Sequence, residues 1–469
     1  MRLKNLLEGI EMEEIKGQTD VEINSITDDS RKVSKGSLFV VLKGINLDGH
    51  LYISDAIKNG AKAIVYQGKI PEIKKNLKDI VFIRVKDTRK ALAILASNYY
   101  GNLHKKMKIV GITGTNGKTT TSELTYQLLK KLNKKAGLIS TVSAKFSGAE
   151  IDTGYHVTTP DALDLHRIIS EMYKKGCEYL IIETTSHGLD QHRGWGIDFE
   201  VGAITNITPE HLDYHKTFGR YLKTKAKIFS QSKKMVLNKF DPALNMLLES
   251  MPENLDYKIV DHTKLEFPRI FREKFPGQYN LENVSLAHAI VYALIGIDAS
   301  NYFAELESIR GRFENVATGR NFGVIVDFAS DAASLEKVLK VARGLTKNKL
   351  IVVFGCAGLR DRSKRPKMGN LAIKLADRTI ITAEDPRTEV LKDIIEEIEA
   401  GAIKAGGEKG KDYFIIEDRQ GAINFAINEL ARKGDLILIT GKGHEKSMCF
   451  GTTEYSWSDQ EAVKKALEI

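Results

Sequence analysis

A strand that runs into a glycine-rich loop and restarts as a helix leaves a chain few folds to choose from. "KIVGITGTNGKTTTSE", Lys108–Glu123, is such a passage. "KIVGIT" reads as a buried strand, and the turn after it opens a helix. Backbone N–H groups of such a turn point inward, and the helix N-terminus adds partial positive charge, so the loop cradles phosphate. Lys118 reaches β- and γ-phosphates, while Thr119 or Thr120 offers a hydroxyl to Mg²⁺. Gly114, Thr115, Asn116 and Gly117 complete the expected ATP-binding loop. The spacing departs from the general phosphate loop: Ile112 stands where its first glycine belongs, and the glycines fall at Gly111 and Gly114. A glycine turn without a ligand is the alternative. Strand, Gly117-Lys118-Thr119 and helix in that order favour ATP.

The same pattern, an apolar strand with polar residues at its carboxyl end, recurs along the chain. Ligands bind at that edge of open parallel sheets. "IIETTSHGLDQHR" places Glu183, Ser186, His187 and Arg193 there, and "ITNITPEHLDYH" places Asn206, His211, Asp213 and His215. Carboxylate and neutral imidazole are common ligands of Mg²⁺ or Mn²⁺, although a lone histidine after a strand is more often structural.

With 469 residues, two to four domains are expected. "SLFVVL" (Ser37–Leu42), "AKAIVY" (Ala61–Tyr66) and "IVFIRV" (Ile80–Val85) are buried strands of a small α/β domain. Thr88–Asn102 reads as a helical connector with a glycine stop. From about Asn321, "GVIVDFAS", "LIVVFGCAG", "RTIITAEDP", "DYFIIED" and "DLILITGKG" spell a second doubly wound unit. The expected domains are 1–100, 101–318 and 319–469, all α/β. The net charge of +9 comes from interleaved Lys and Glu, without a basic arm suited to nucleic acid. No apolar run is long enough for a membrane span, and the N-terminus lacks a signal-peptide core. Cys177, Cys356 and Cys449 lack metal spacing and read as reduced thiols of a cytoplasmic protein.

Taken together, "TDDSRKVSKGSLFVVLKG…DGH", "GTNGKTTT", "VTTPDAL", "ETTSHGL…R", "TNITPEHLDYH", "YLKTKAKIF", "PGQYNLEN", "GRFE", "GCAGLRDRSKRPKMG", "EDPRTE" and "GKGHE" resemble the Mur ligases across nearly the whole chain. Within that family the chain is most similar to the MurE type, the UDP-N-acetylmuramoyl-L-alanyl-D-glutamate ligases. The resemblance implies a small N-terminal UDP-sugar-binding domain, a central phosphate-loop ATPase domain and a Rossmann-like C-terminal domain that binds the amino acid. It implies ATP and Mg²⁺, an acyl-phosphate intermediate, and a cytoplasmic monomer active in peptidoglycan precursor synthesis. The substrates would be UDP-MurNAc-L-Ala-D-Glu and a free amino acid.

By the same resemblance Lys118, Glu183, His211 and Lys225 are catalytic, and Thr119, Glu183, His211 and a carbamylated Lys225 support Mg²⁺. The bland alternative for Lys225 is a surface helix lysine, flanked by Lys223 and Lys227. Asn280 and Asn283 fall near the adenine, Arg312 at the γ-phosphate and Asp327 near the ribose; Asn280 is otherwise a good helix cap. Ser30, Arg31 and His50 match UDP-sugar contacts, with turn chemistry as the alternative. Thr158, Thr159, Ser186 and Arg193 match contacts to the muramoyl-peptide.

Asp385, Arg387, Gly441 and Glu445 match amino-acid contacts. The family reads D-N-P-R where meso-diaminopimelate is added; here it is Glu384-Asp385-Pro386-Arg387. Arg387 can hold a distal carboxylate bidentately. Asp385 could instead accept a lysine ammonium, so L-lysine stays an alternative to the favoured meso-diaminopimelate. Arg360 to Arg365 are expected to add an anion-binding patch. Two departures stand out. "DFASDAAS" replaces the family's D-Y-A-H-x-P, with Phe328 for Tyr and Ser330 for His, and the segment from Asn245 to Phe275 is short. A folylpolyglutamate synthase or pseudomurein ligase, and a non-catalytic nucleotide-binding regulator, are the remaining alternatives.

Overall fold

The computed structural model describes residues 1–44, 47–70, 79–146, 148–151 and 158–468. Val157 of the "VTTPDAL" motif lies outside the described residues. Three main sheets follow one another along the chain. The first has strand order Met12–Lys16, Val81–Val85, Ala63–Tyr66, Ser37–Val40, Ser25–Thr27. Only Met12–Lys16 runs antiparallel to its neighbour. The sequence reading missed this edge strand because "MEEIK" is charged and mostly exposed, with no apolar run.

The second sheet has eight strands. Its parallel part is ordered Asp256–Val260, Lys234–Asn238, Val201–Ile204, Lys108–Thr113, Tyr179–Glu183, Ala136–Ile139, and Ala144–Phe146 and Ala149–Ile151 add an antiparallel edge. The strand before the glycine loop is therefore central. Its two neighbours carry the two polar segments singled out above. The third sheet is ordered Glu314–Val316, Gly323–Asp327, Leu436–Thr440, Leu350–Phe354, Arg378–Ile381, Tyr413–Ile415, parallel except for its first strand. Glu314–Val316 thus joins this sheet from before residue 319.

By contacts the chain divides into two compact units. One comprises Met1–Thr208, Leu222–Asp261 and Ser285–Ala299; the other comprises Pro209–Tyr221, His262–Val284 and Ser300–Ile469. The first two sheets share a unit for a packing reason. Ala162, Leu163 and Trp195, which follow the second sheet's strands in sequence, join the core built by Leu38, Val65, Ile83 and the helix Thr88–Tyr99. The short Asn245–Phe275 stretch still holds, in sequence order, the helix Leu244–Glu249, the edge strand Asp256–Val260 and the helix Arg269–Lys274. All three cysteines are buried and free. Among the described residues no helix is long and apolar enough to cross a membrane.

The third sheet is braced by a buried ion pair that the sequence reading did not find. Arg419 donates to both oxygens of Asp459 at 2.8 Å, to the Thr440 carbonyl at 2.9 Å and to the Ala383 carbonyl at 3.3 Å. Trp457 adds an indole N–H to the same carboxylate at 2.9 Å. Both charged side chains are fully buried. One guanidinium thus ties two loops at the carboxyl edge of the sheet to the last helix, Asp459–Leu467. Removing one partner of such a pair strands a buried charge. Asp459→Ala is expected to lower the stability of this unit by roughly 3–5 kcal/mol in denaturant unfolding followed by Trp457 fluorescence. A loss within about 0.5 kcal/mol, the scale of an ordinary surface change, would remove the brace from the account.

Candidate active site

In the first unit the glycine loop is held by the segment after the neighbouring strand. Asn206 donates to the Asn116 carbonyl at 2.9 Å, and its side-chain oxygen accepts the Asn116 N–H at 3.2 Å. Thr205 donates to that same carbonyl at 2.6 Å, and the Thr115 N–H bonds the Asn206 carbonyl at 2.7 Å. The approach leaves no room for a side chain at Gly114: a Cβ would lie 1.9 Å from the Thr205 hydroxyl, and φ is +148°. This is why the chain places glycine at 114, while Ile112, two residues earlier, is a buried residue of the strand. Gly117, with φ +83°, starts the helix Lys118–Lys131. Asn206 is thus a loop brace and not a metal ligand.

Lys118 is half-buried and its ammonium rests on the Thr115 carbonyl at 2.8 Å. Thr119 donates to Glu183 at 3.1 Å. The other oxygen of Glu183 accepts the Thr141 N–H at 2.9 Å, and Thr141 Oγ1 donates to Thr158 Oγ1 at 3.0 Å. Thr159 donates to the Glu183 carbonyl at 3.1 Å, and Arg193 donates to the Thr159 carbonyl. Ser186, buried, opens the helix Ser186–Asp190, which Thr185 caps through the Gly188 N–H. The structure therefore gathers Lys118, Thr119, Glu183, Thr158, Thr159 and Arg193 around one sheet edge. Thr141 is the member that sequence reasoning missed. It follows the strand Ala136–Ile139, so the rule applied to the two neighbouring strands would have found it.

Lys225 is almost completely buried, so the surface reading of it does not hold. Its ammonium donates to the Gly114 carbonyl at 2.6 Å and approaches the Thr113 hydroxyl at 3.4 Å. Lys223, two residues earlier on the same helix, is the exposed one. Thr120 is buried in the first turn of its helix. Among the described residues no three His, Cys, Asp or Glu side chains cluster as a ready-made metal site. Thr119 and Glu183 nonetheless form a hard-oxygen pair, the donor type that Mg²⁺ takes alongside water and phosphate.

The first sheet's candidates are mostly engaged in their own turns. Asp29 accepts the Arg31 N–H and is bridged by the Arg31 guanidinium at 2.9 and 2.8 Å, which holds the Asp29 carboxyl down at about 2. Ser30 opens that turn, and its carbonyl accepts from Asn59 at 3.1 Å. Asp48 accepts from the His50 backbone and ring at 3.0 and 2.6 Å, and the ring's far nitrogen sits 2.9 Å from the Gln67 carbonyl. Asp29 and Asp48 each shape the turn they sit in. Arg31 remains well exposed.

His211 falls in the second unit, apart from Glu183 in the division by contacts. It has φ +53°, begins the short helix Leu212–His215, and lies 3.7 Å from Glu210. His215 is a packing residue, buried against Tyr214 and Tyr221. Asn280 lies inside the helix Gln278–Ile295 and not at its cap; its amide donates to the Pro276 carbonyl at 2.8 Å. Asn283, one turn on, is buried. Asp327 accepts the Phe313 and Ala329 N–H groups, each at 2.7 Å, so it already ties "GRFE" to "DFAS". Burial raises its pKa, against Arg312 and these two amides. Arg312 stacks over Phe328 at 4.6 Å, and Phe328 packs on His444 at 4.8 Å. The Ser330 carbonyl accepts Lys364 at 2.6 Å. The "DFAS" departure thus leaves a filled, ordered arrangement.

The expected patch from Arg360 to Arg365 needs correction. Arg365 is fully buried between Glu389 and Glu397, with bonds of 2.7 to 2.9 Å. Arg362 pairs with Glu397. These carboxylates precede and line the helix Leu391–Lys404 and neutralise both guanidiniums. Arg360 is different. Desolvation, followed by the neighbouring Arg387, holds its pKa below the ordinary arginine value. Among the described residues neither Arg360 nor Arg387 makes an ion pair.

Around them the backbone is strained: Leu359, Asp385 and Arg387 all have positive φ, at +56°, +38° and +55°. Asp385 is buried and accepts the Lys442 ammonium at 2.8 Å and the Cys449 N–H at 2.9 Å. Lys442 also pairs with Glu445. Burial opposes the Lys442 charge, but Glu445 and Asp385 outweigh it and raise its pKa. Burial pushes the Glu384 carboxyl up to about 7, and its Oε2 has no hydrogen-bond partner. That oxygen fills the space beside Gly441, where a Cβ would lie 2.3 Å away.

Comparison with known proteins fits this geometry. Three family models match in order: "Mur ligase family, catalytic domain" over residues 22–100, "Mur ligase middle domain" over 112–264, and "Mur ligase, glutamate ligase domain" over 311–443. A UDP-N-acetylmuramoyl-L-alanyl-D-glutamate–2,6-diaminopimelate ligase of Clostridium perfringens is 38% identical over the full length of both chains. A solved structure of a ligase with that name is 25% identical, with TM-score 0.64, covering 100% of this chain and 99% of that one. The MurF ligase of Thermotoga maritima, solved with ADP, shares the fold at TM-score 0.60 and 19% identity, covering 95% of this chain and 97% of that one. By its motifs, its three sheets and these full-length matches, the chain belongs to the Mur ligase family.

Proposed function

We propose that this protein joins meso-diaminopimelate to the D-glutamate carboxylate of UDP-MurNAc-L-Ala-D-Glu, converting ATP to ADP and phosphate. The three domains divide the work as their sequences suggest: 1–100 for the UDP-sugar, 101–318 for ATP and 319–469 for the amino acid. The substrate carboxylate attacks the γ-phosphorus, ADP leaves, and an acyl phosphate forms. The diaminopimelate amine then attacks that carbonyl, and phosphate leaves as the amide forms. The protein's part is positioning and charge neutralisation. The loop amides and Lys118 hold the phosphates, and Arg193 and Thr158 orient the muramoyl-peptide. Thr119 and Glu183 would hold Mg²⁺, with His211 and a carbamylated Lys225 as further support. Mg²⁺, when bound, neutralises phosphate charge. Asn280, Asn283, Arg312 and Asp327 serve the nucleotide, and Ser30, Arg31 and His50 the UDP group.

The observation that carries the choice of amino acid is the pair Arg360 and Arg387. Arg362, Arg365 and Arg419 are each paired with a carboxylate, and these two are not. Two adjacent guanidiniums suit a substrate that brings its own distal carboxylate, which diaminopimelate has and lysine lacks.

The test is phosphate release and product mass with ATP, Mg²⁺, the UDP-MurNAc-dipeptide and single amino acids. Release dependent on diaminopimelate is expected, falling at least about 100-fold in Lys118→Ala. Release with no amino acid tried would refute the reading. Lys225→Ala should lose turnover in the same assay and regain part of it with added acetate or formate. Full activity in that variant would exclude a carbamate role. Arg387→Ala should raise KM for diaminopimelate about 100-fold, the scale of a lost charged bidentate contact. An unchanged KM would remove Arg387 from the substrate site.

A further inference from the structure

The third domain holds three charged side chains in a row where the resemblance leads one to expect two carboxylates open to substrate. Lys442 is fully buried, and its ammonium lies between Asp385 and Glu445. Asp385 Oδ1 is saturated further by the Cys449 N–H. Its backbone is held at φ +38°, where a non-glycine residue is uncommon, so the loop keeps this side chain turned inward at some cost. The acid at 385 therefore has a resident cation. Counting Arg360 and Arg387 with this trio gives three positive and two negative groups, and buried Glu384 beside them, pushed up to about 7, adds only part of a negative charge, so the balance around the place meant for the distal end of the amino acid stays on the positive side.

We infer that Asp385 and Lys442 are a specificity pair: the Lys442 ammonium neutralises the acid that would otherwise attract a substrate ammonium, and the residual positive charge excludes L-lysine in favour of an amino acid with a distal carboxylate. Neither residue touches the reacting atoms. They act by setting the charge that the substrate's far end meets, which is discrimination by repulsion as well as attraction. A lone ammonium entering this site meets net positive charge and gains no carboxylate of its own to bind. A zwitterionic end places its carboxylate on the arginines and its ammonium on the outer face of Glu445. The departure from the family's Asn at position 385 thus does not by itself turn the chain toward lysine, because the added carboxylate is held on the Lys442 ammonium and faced by two arginines.

This inference rests on the ligase reading above. The test is competition: diaminopimelate and a large excess of L-lysine are offered together, and the two products are weighed by mass spectrometry. Lys442→Met uncovers two carboxylates and should shift the product ratio toward lysine about tenfold, the scale of one unit charge several ångströms away. Asp385→Asn, nearly isosteric and safer for folding, should shift it about as far toward diaminopimelate. The double variant should return toward the wild-type ratio, a pattern that a merely structural role would not produce. Should Lys442→Met fail to fold, the direction of the Asp385→Asn shift decides alone. Active variants with an unchanged ratio, or with Asp385→Asn moving toward lysine, would overturn the inference and leave the ligase reading standing. A wild-type protein that makes neither product would overturn both.

Discussion

Parallel strands release the chain at one edge only, and the convergence of the phosphate loop with its neighbours depends on that constraint. In the second sheet the strands ending at Thr113, Ile139 and Glu183 deliver the glycine loop, Thr141 and a carboxylate to one place. Glu183 accepts from the first turn of one helix and from the loop after another strand. Its position is therefore a consequence of strand register, in which Glu183 pairs with Ile112. A chain that needs phosphate, carboxylate and hydroxyls to converge does not need long-range side-chain contacts to achieve it. It needs adjacent parallel strands with polar ends.

In the third sheet, too, the loops at the carboxyl edge of the strands carry the charged motifs. The buried cations of the third domain are paired within the protein. Arg419 answers Asp459, Arg365 answers Glu389 and Glu397, and Lys442 answers Asp385 and Glu445. Beside these pairs, Arg360 and Arg387 make no ion pair among the described residues, and the proposed choice of amino acid rests on them. Reading function from such a site means subtracting the internal pairs first. The motif "RDRSKR" reads as a cationic patch until that subtraction is made, and afterwards one arginine remains.

Much of this was legible in the chain. Runs such as "KIVGIT" and "LIIE" have the apolar continuity of strands buried on both faces, so three α/β sheets and the site edge could be placed from sequence. The phosphate loop was legible down to its odd spacing, and the Gly114–Thr205 approach explains the glycine at 114. Burial of charged groups was not. Lys225 was singled out by resemblance alone; its flanking Lys223 and Lys227 gave no sign of burial, and only packing shows it turned inward. Arg419 and Asp459 are 40 residues apart, and nothing local marks either as the partner of the other. Asp385 could be seen as an extra acid but not as a neutralised one, because its cation comes from a motif 57 residues later. The strand "MEEIK" escaped for the opposite reason: at an exposed edge, pairing replaces burial as the reason to be extended.

The central claim is that the protein activates a carboxylate by phosphorylating it. That chemistry moves an oxygen atom from the substrate carboxylate to the released phosphate. The direct measurement uses UDP-MurNAc-L-Ala-D-Glu labelled with ¹⁸O in the D-glutamate side carboxylate and mass analysis of the phosphate produced. The account predicts one labelled oxygen in each phosphate released during turnover. Product formation with unlabelled phosphate would contradict it.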